Sequence, residues 1–188
     1  MDKTERIKNI VWTELTYSCY WEQYISRYIG YKYDRNKIYS IVTIILSSTS
    51  AFFISLSKEE YSWATWVGMA CIVIVPIIQI VNNSQKHVMM DVETASSMLK
   101  LRSMYLEYYN DLARLYLDID DLNLNNEEIK DRYFNLRDSA RDIEKLKDSL
   151  NIRKLNHVNQ HALEQMSKRL EHKFKAKTPE KNSKSSGQ

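Results

Sequence analysis

IYSIVTIILSSTSAFFISL (Ile38–Leu56) and SWATWVGMACIVIVPIIQIV (Ser62–Val81) carry no charged residue. At 1.5 Å of rise per residue, a helix of that length covers roughly 30 Å, the hydrocarbon thickness of a bilayer. Only Ser57-Lys58-Glu59-Glu60-Tyr61 separates them. A charge at the bilayer centre costs about 2.5–3.5 kcal/mol on insertion scales, so three consecutive charges mark where the chain leaves the lipid. The fold class expected is therefore an all-α membrane protein built on a two-helix transmembrane hairpin, residues 38–81, with spans at 38–57 and 62–81.

Basic residues set the orientation. Arg27, Lys32, Arg35 and Lys37 precede the first span and Lys86, Lys100 and Arg102 follow the second, whereas the turn offers only Lys58. The positive-inside rule then puts both termini in the cytoplasm, making a multi-pass protein of the inner membrane. Trp63 and Trp66 suit the outer interface and Tyr39 the inner one. The first apolar run starts far from Met1 and no small-residue cleavage pattern follows it, which argues against a cleaved signal peptide.

Outside the spans the chain is strongly polar, since mean hydropathy is −0.49. Three glycines and two prolines in 188 residues are too few for a β-sheet protein, and the second half is rich in helix formers. A net charge of +3 is too small to imply nucleic acid as a direct partner. Cys19 falls on the cytosolic side and Cys71 in the second span, so they are not expected to pair, and neither has metal-ligand spacing.

Residues 1–36 form an N-terminal amphipathic helix. Ile7, Ile10, Val11 and Leu15 repeat at helical spacing, and Tyr17, Tyr20, Trp21, Tyr24, Tyr28 and Tyr31 continue the stripe. Such a helix lies along the inner membrane face or packs on the cytosolic helices. A base-stacking platform is the sharper alternative, but no basic fork sits beside the rings. Gly30 and Asp34–Asn36 are expected to break this helix before the first span.

The first span bears hydroxyls at Ser40, Thr43, Ser47 and Ser50, whose three- and four-residue steps place them on one side of a helix, with Ser57 extending the row. They suit two roles that can coexist: a close helix–helix seam, or the lining of a water-filled path once several hairpins assemble. In the second span Ala64 and Gly68 form a small-xxx-small pair and Pro76 is expected to kink the helix. Gln79, at the inner end, either snorkels to the interface or forms a polar constriction around a symmetry axis.

From Asn83 to about Asp118 no breaker interrupts the pattern, so the second span is expected to continue as one long cytosolic helix. Met98, Leu101, Tyr105, Tyr108, Leu112, Leu115 and Ile119 keep a 3.5-residue rhythm. The acidic segment Asp118–Glu128 resembles a calcium loop only superficially, because it lacks the turn glycine and has Ile129 where the bidentate glutamate belongs. It reads better as a helix start, with Asn125 as cap and Glu128 three residues on. The next helix carries a seam of Ile129, Tyr133, Leu136, Ala140, Ile143 and Leu150, and after a break near Asn151 the series resumes at Leu155, Val158, Ala162, Met166 and Leu170. Residues 82–173 thus form a cytosolic helical bundle and 174–188 a disordered tail. His157 and His161 lack the glutamate of a zinc-protease signature and read as a surface pair. No phosphate loop, nucleophile elbow or paired-Cys motif occurs, so no catalytic residue, metal or cofactor is nominated and an enzyme is not expected.

The order of parts resembles the SLATT family, the SMODS and SLOG-associating two-transmembrane effectors of prokaryotic conflict systems. The likeness rests on the aromatic, Arg-bearing N-terminal helix and on the hairpin with its short charged turn. It extends to Ala95-Ser-Ser-Met-Leu-Lys-Leu-Arg-Ser-Met-Tyr-Leu-Glu-Tyr-Tyr-Asn-Asp-Leu and to the helix around Leu136–Ile143, covering roughly residues 5–170. The resemblance implies an antiphage effector that disrupts the inner membrane as an oligomeric pore and causes abortive infection. It also implies a separately encoded partner, such as a nucleotide sensor, a second-messenger synthase or a reverse-transcriptase (retron) system. A non-conducting membrane-anchored scaffold and a holin-like lysis protein are the alternatives.

Overall fold

Seven residues of the 3.5-residue series, Met98, Leu101, Tyr105, Tyr108, Leu112, Leu115 and Ile119, are all buried on one helix, α3 (Val92–Asp121). In the computed structural model, which describes residues 3–56, 62–84, 90–121 and 125–175, all of the secondary structure is helical. Around α3 in chain order are α1 (Lys3–Leu56), α2 (Ser62–Ser84), α4 (Asn126–Ser149) and α5 (Asn156–Lys175). The chain divides into two compact units: residues 1–27 with 97–188, and residues 28–96.

The first unit packs the start of α1 against α3, α4 and α5. Ile7, Val11, Leu15, Cys19, Trp21, Tyr24 and Ile25 are buried on α1. They meet the α3 series, Ile129, Tyr133 and Ile143 of α4, and Val158, Ala162 and Leu170 of α5. Of the expected stripe, Ile10 and Tyr17 lie outside this core, at 41% and 44% exposure. The rings pack on one another: Trp21 stacks on Tyr105 at 6.2 Å and meets Tyr24 edge-on at 5.5 Å. These ring faces are therefore engaged within the core.

Helix ends follow local chemistry. Asn125 caps α4, its side chain accepting the Glu128 N–H at 2.8 Å, as expected. The chain breaks after α4, with Asn151 in the left-handed region (φ 43°). Tyr24 ties down the following link by donating to the Arg153 carbonyl and accepting the Leu155 N–H, both at 2.8 Å.

Two expectations are corrected. The helix does not break at Gly30 or at Asp34–Asn36; α1 is continuous from Lys3 to Leu56. Glycine costs a helix only about 1 kcal/mol against alanine, too little to end it. Arg35 supports the adjacent turns by donating to the Tyr31 hydroxyl at 3.2 Å and the Tyr39 hydroxyl at 3.0 Å. Conversely, the second apolar segment does not run on as one helix. α2 ends at Ser84 and α3 begins at Val92, where the Asp91 carboxylate accepts the Thr94 N–H at 2.6 Å. That N-cap starts a new helix.

In the second unit α2 packs along the later part of α1. Ser50 Oγ donates to the Gly68 carbonyl at 3.2 Å, the Phe53 and Trp63 rings meet at 5.8 Å, and Asn36 donates to the Met90 carbonyl at 3.4 Å. Partners earlier on α1 are matched by partners later in the chain, the order of two segments running in opposite directions. Gly68 permits the close approach: a Cβ there would stand 3.0 Å from Ile54 Cγ1. Gly68→Ala asks that the Ile54 side chain give by a few tenths of an ångström at Cγ1. Gly68→Val adds methyl groups with no space and is expected to cost about 1–3 kcal/mol, read as a lower melting point in detergent. Equal melting points for the two variants would show that the seam is loose.

Candidate functional site

Two places gather chemistry, one in each unit. In the second, the hydroxyls expected on one side of α1 divide by exposure. Ser50 is buried in the contact with α2, Thr43 is half-buried beside it, and Ser40 and Ser47 are exposed. Helical geometry accommodates this: residues 43 and 50 lie two turns apart on one line, while 40 and 47 sit to one side of it. Gly68 is buried in the same seam and Pro76 is exposed within α2, which continues through it. The side chains of Ala64 and Gln79, the turn at 57–61 and the tail from 176 lie outside the described residues.

The surface around this seam is apolar and open. Among the described residues α1 is long and apolar enough to cross a bilayer, with a mean hydropathy of 1.7 over 18 residues, only 6% of them buried. The apolar run of α2 there, Thr65–Ile78, is shorter. Ile44, Ile45, Trp66, Val73 and Ile80 are all more than half exposed. A soluble protein's core helix would be covered, so this exposure suits α1 to association with a membrane.

In the first unit the polar chemistry is buried. Glu22 of α1 is 2% exposed. Its Oε1 accepts Arg102 Nε of α3 at 2.9 Å, and its Oε2 accepts Arg169 Nη1 of α5 at 2.8 Å and Gln23 Nε2 at 2.6 Å. One carboxylate thus joins three helices. The Arg169 guanidinium also lies over the Tyr109 ring, 4.6 Å from its centroid, with Lys173 Nζ at 4.7 Å. Burial lowers the Lys173 pKa, and the neighbouring Arg169 adds to the effect. Burial pushes the adjacent Cys19 thiol up to about 11, leaving it an unreactive core residue.

Glu14 makes a second junction, accepting the Tyr108 and Tyr133 hydroxyls of α3 and α4, the latter at 2.7 Å. Glu144 makes a third, accepting Tyr105 at 3.0 Å and Lys147, whose ammonium also donates to the Tyr17 hydroxyl at 3.0 Å. A cavity of about 190 Å³ lies among Glu14, Tyr105, Tyr108, Arg137, Ile143 and Glu144. Burial, reinforced by the carboxylate each one faces, raises the pKa of Tyr105, Tyr108 and Tyr133, the last to about 12.

These phenols fix an alkaline limit. A folded-state pKa above the ordinary value of 10.0 leaves stability intact below pH 10 and removes it as pH rises toward the folded pKa. Tyrosinate absorbance is accordingly expected to show a class of tyrosines that ionise only together with loss of helical circular dichroism above pH about 10. Ordinary titration of all 13 tyrosines in a folded protein would contradict these hydrogen bonds.

Sequence reasoning did not single out Glu14, Glu22, Arg102 or Arg169 as a site. The available signal was that Glu22 falls on the buried series through Val11, Leu15, Ser18 and Ile25, where a charge demands a partner. Among the described residues no group of three or more His, Cys, Asp and Glu is placed to hold a metal. Arg132 pairs with Asp118, in the segment that superficially resembles a calcium loop, at 3.3 Å. The arrangement in the first unit locks helices in register, and the one in the second joins two apolar helices through small and hydroxylated residues. No family model, curated protein or solved structure matches the chain.

Proposed function

We propose that the chain is a multi-pass protein of the cytoplasmic membrane, crossing lipid as a hairpin of the apolar part of α1 and α2, with both termini in the cytoplasm. The observation that carries this reading is the uncovered apolar surface of α1, 6% buried over its most apolar 18 residues. At about 25 cal/mol per Å², leaving such a surface in water is costly, and lipid removes that cost. The first part of α1 with α3, α4 and α5 is then the cytosolic helical bundle.

Two helices cannot enclose water, so conduction requires several copies. In the ring, the side of α1 bearing Ser40, Thr43 and Ser47 turns toward the axis, with Gln79 at the cytoplasmic mouth. The pore disrupts the inner membrane as the non-enzymatic effector of a prokaryotic antiphage system, released by a separately encoded sensor or second-messenger synthase. The resemblance described above supports that last step. Purified protein in dye-loaded liposomes tests the pore: leakage that rises steeply with protein-to-lipid ratio is expected, and dye retention with the protein inserted argues against it.

A non-conducting scaffold is the second reading, and one observation favours it. Ser50 directs its hydroxyl to the Gly68 carbonyl, as a residue of a contact seam does. Inserted, oligomeric protein that never leaks would select the scaffold.

A further inference from the structure

Between the start of α1 and α4 runs a groove of about 360 Å³, lined by Ile7, Ile10, Tyr133 and Phe134 together with Arg6 and Lys130. No carboxylate lines it. Tyr133 commits its hydroxyl to Glu14, so its polar atom is already satisfied within the core. Ile10 and Phe134, by contrast, are 41% and 57% exposed. Two cations, Arg6 and Lys130, border the same place. Among the described residues no carboxylate lies within ion-pairing distance of Arg6 or Lys130.

We propose that this groove docks an acidic amphipathic helix of a separate partner protein. Apolar side chains one turn apart enter beside Ile10 and Phe134, and carboxylates flanking them pair with Arg6 and Lys130. A trough between two helices is the shape that helix-in-groove recognition uses. Charge complementarity selects the occupant: a two-fold pairing with a second copy sets cation against cation, whereas an acidic helix neutralises both. The inference does not depend on conduction and holds equally for an effector or a scaffold.

The test uses the full chain in detergent and two fluorescein-labelled helical peptides sharing one leucine face, flanked in one by Glu and Asp and in the other by Lys. Fluorescence anisotropy is expected to show salt-sensitive binding of the acidic peptide alone. Its affinity is expected to fall about tenfold or more in Arg6→Glu/Lys130→Glu and in Phe134→Ser. These three side chains line the groove rather than fill the core, and unchanged melting curves check that the variants fold. Equal binding of both peptides, no binding, or unchanged affinity in the folded variants overturns the proposal. In cells, a photo-crosslinker at position 134 gives the second arm. An adduct with a different polypeptide that disappears in Arg6→Glu/Lys130→Glu supports docking; adducts solely with this chain or with anionic phospholipid overturn it.

Discussion

Replacing Arg102 and Arg169 together by alanine is expected to destabilise the first unit by about 3–5 kcal/mol, the cost of leaving a buried charge uncompensated. The reason is asymmetric burial. The side chains of Arg102 and Arg169 are 42% and 33% exposed, whereas that of Glu22 is 3% exposed. Either guanidinium can turn partly to solvent when the pair is broken, but the carboxylate cannot. Each single substitution leaves one partner in place and is expected to cost clearly less than half of the double one. Glu22→Leu in the double-alanine background is expected to restore most of the loss, because an apolar residue then continues the Leu15 series. Denaturant melts of the four variants decide this. Failure of Glu22→Leu to rescue would mean that the arginines stabilise through contacts with Tyr109 and their neighbours, and not through charge.

Thr43→Leu combined with Ser47→Leu is expected to abolish liposome leakage while leaving assembly intact. Ser47 is exposed and Thr43 half-buried, so neither forms the centre of the contact with α2, which Ser50 and Gly68 occupy. Two leucines replace wettable groups with apolar ones along one side of α1, and a narrow lumen lined that way dewets. Leakage from dye-loaded vesicles and the elution volume of the detergent-solubilised complex are the two readouts. Full leakage in the double variant would remove this face from the conduit; a changed elution volume would assign it to assembly.

Legibility differed by element. The α3 series could be followed because every one of its seven positions is apolar or aromatic, and periodicity needs nothing more. Asn125 could be recognised as a cap because a capping side chain bonds within its own turn. Helix continuity was misjudged in both directions, for tertiary and local reasons respectively. Asp34–Asn36 looks like a breaker, yet Asn36 reaches the Met90 carbonyl 54 residues later, and Arg35 bonds the tyrosines one turn to either side. Asp91 lies in a run free of Gly and Pro, yet it caps α3 by accepting the Thr94 N–H. The Glu22 junction was hidden because its partners stand 80 and 147 residues away, a separation that no local pattern encodes. Within the hydroxyl row, spacing placed four residues on one side of a helix, but only contact with α2 separates Ser50 from Ser40 and Ser47.

The apolar portion of α1 and α2 are proposed to cross the membrane as a pair, leaving α3 to α5 on the same side as both chain ends. Labelling of intact cells with a membrane-impermeant maleimide tests it most directly, using single cysteines at Glu60 or at Asn156 in a chain whose Cys19 and Cys71 are alanine. The expected result is labelling at position 60 in intact cells and at position 156 only after the membrane is opened. Labelling at 156 in intact cells, or at 60 only after lysis, would contradict it.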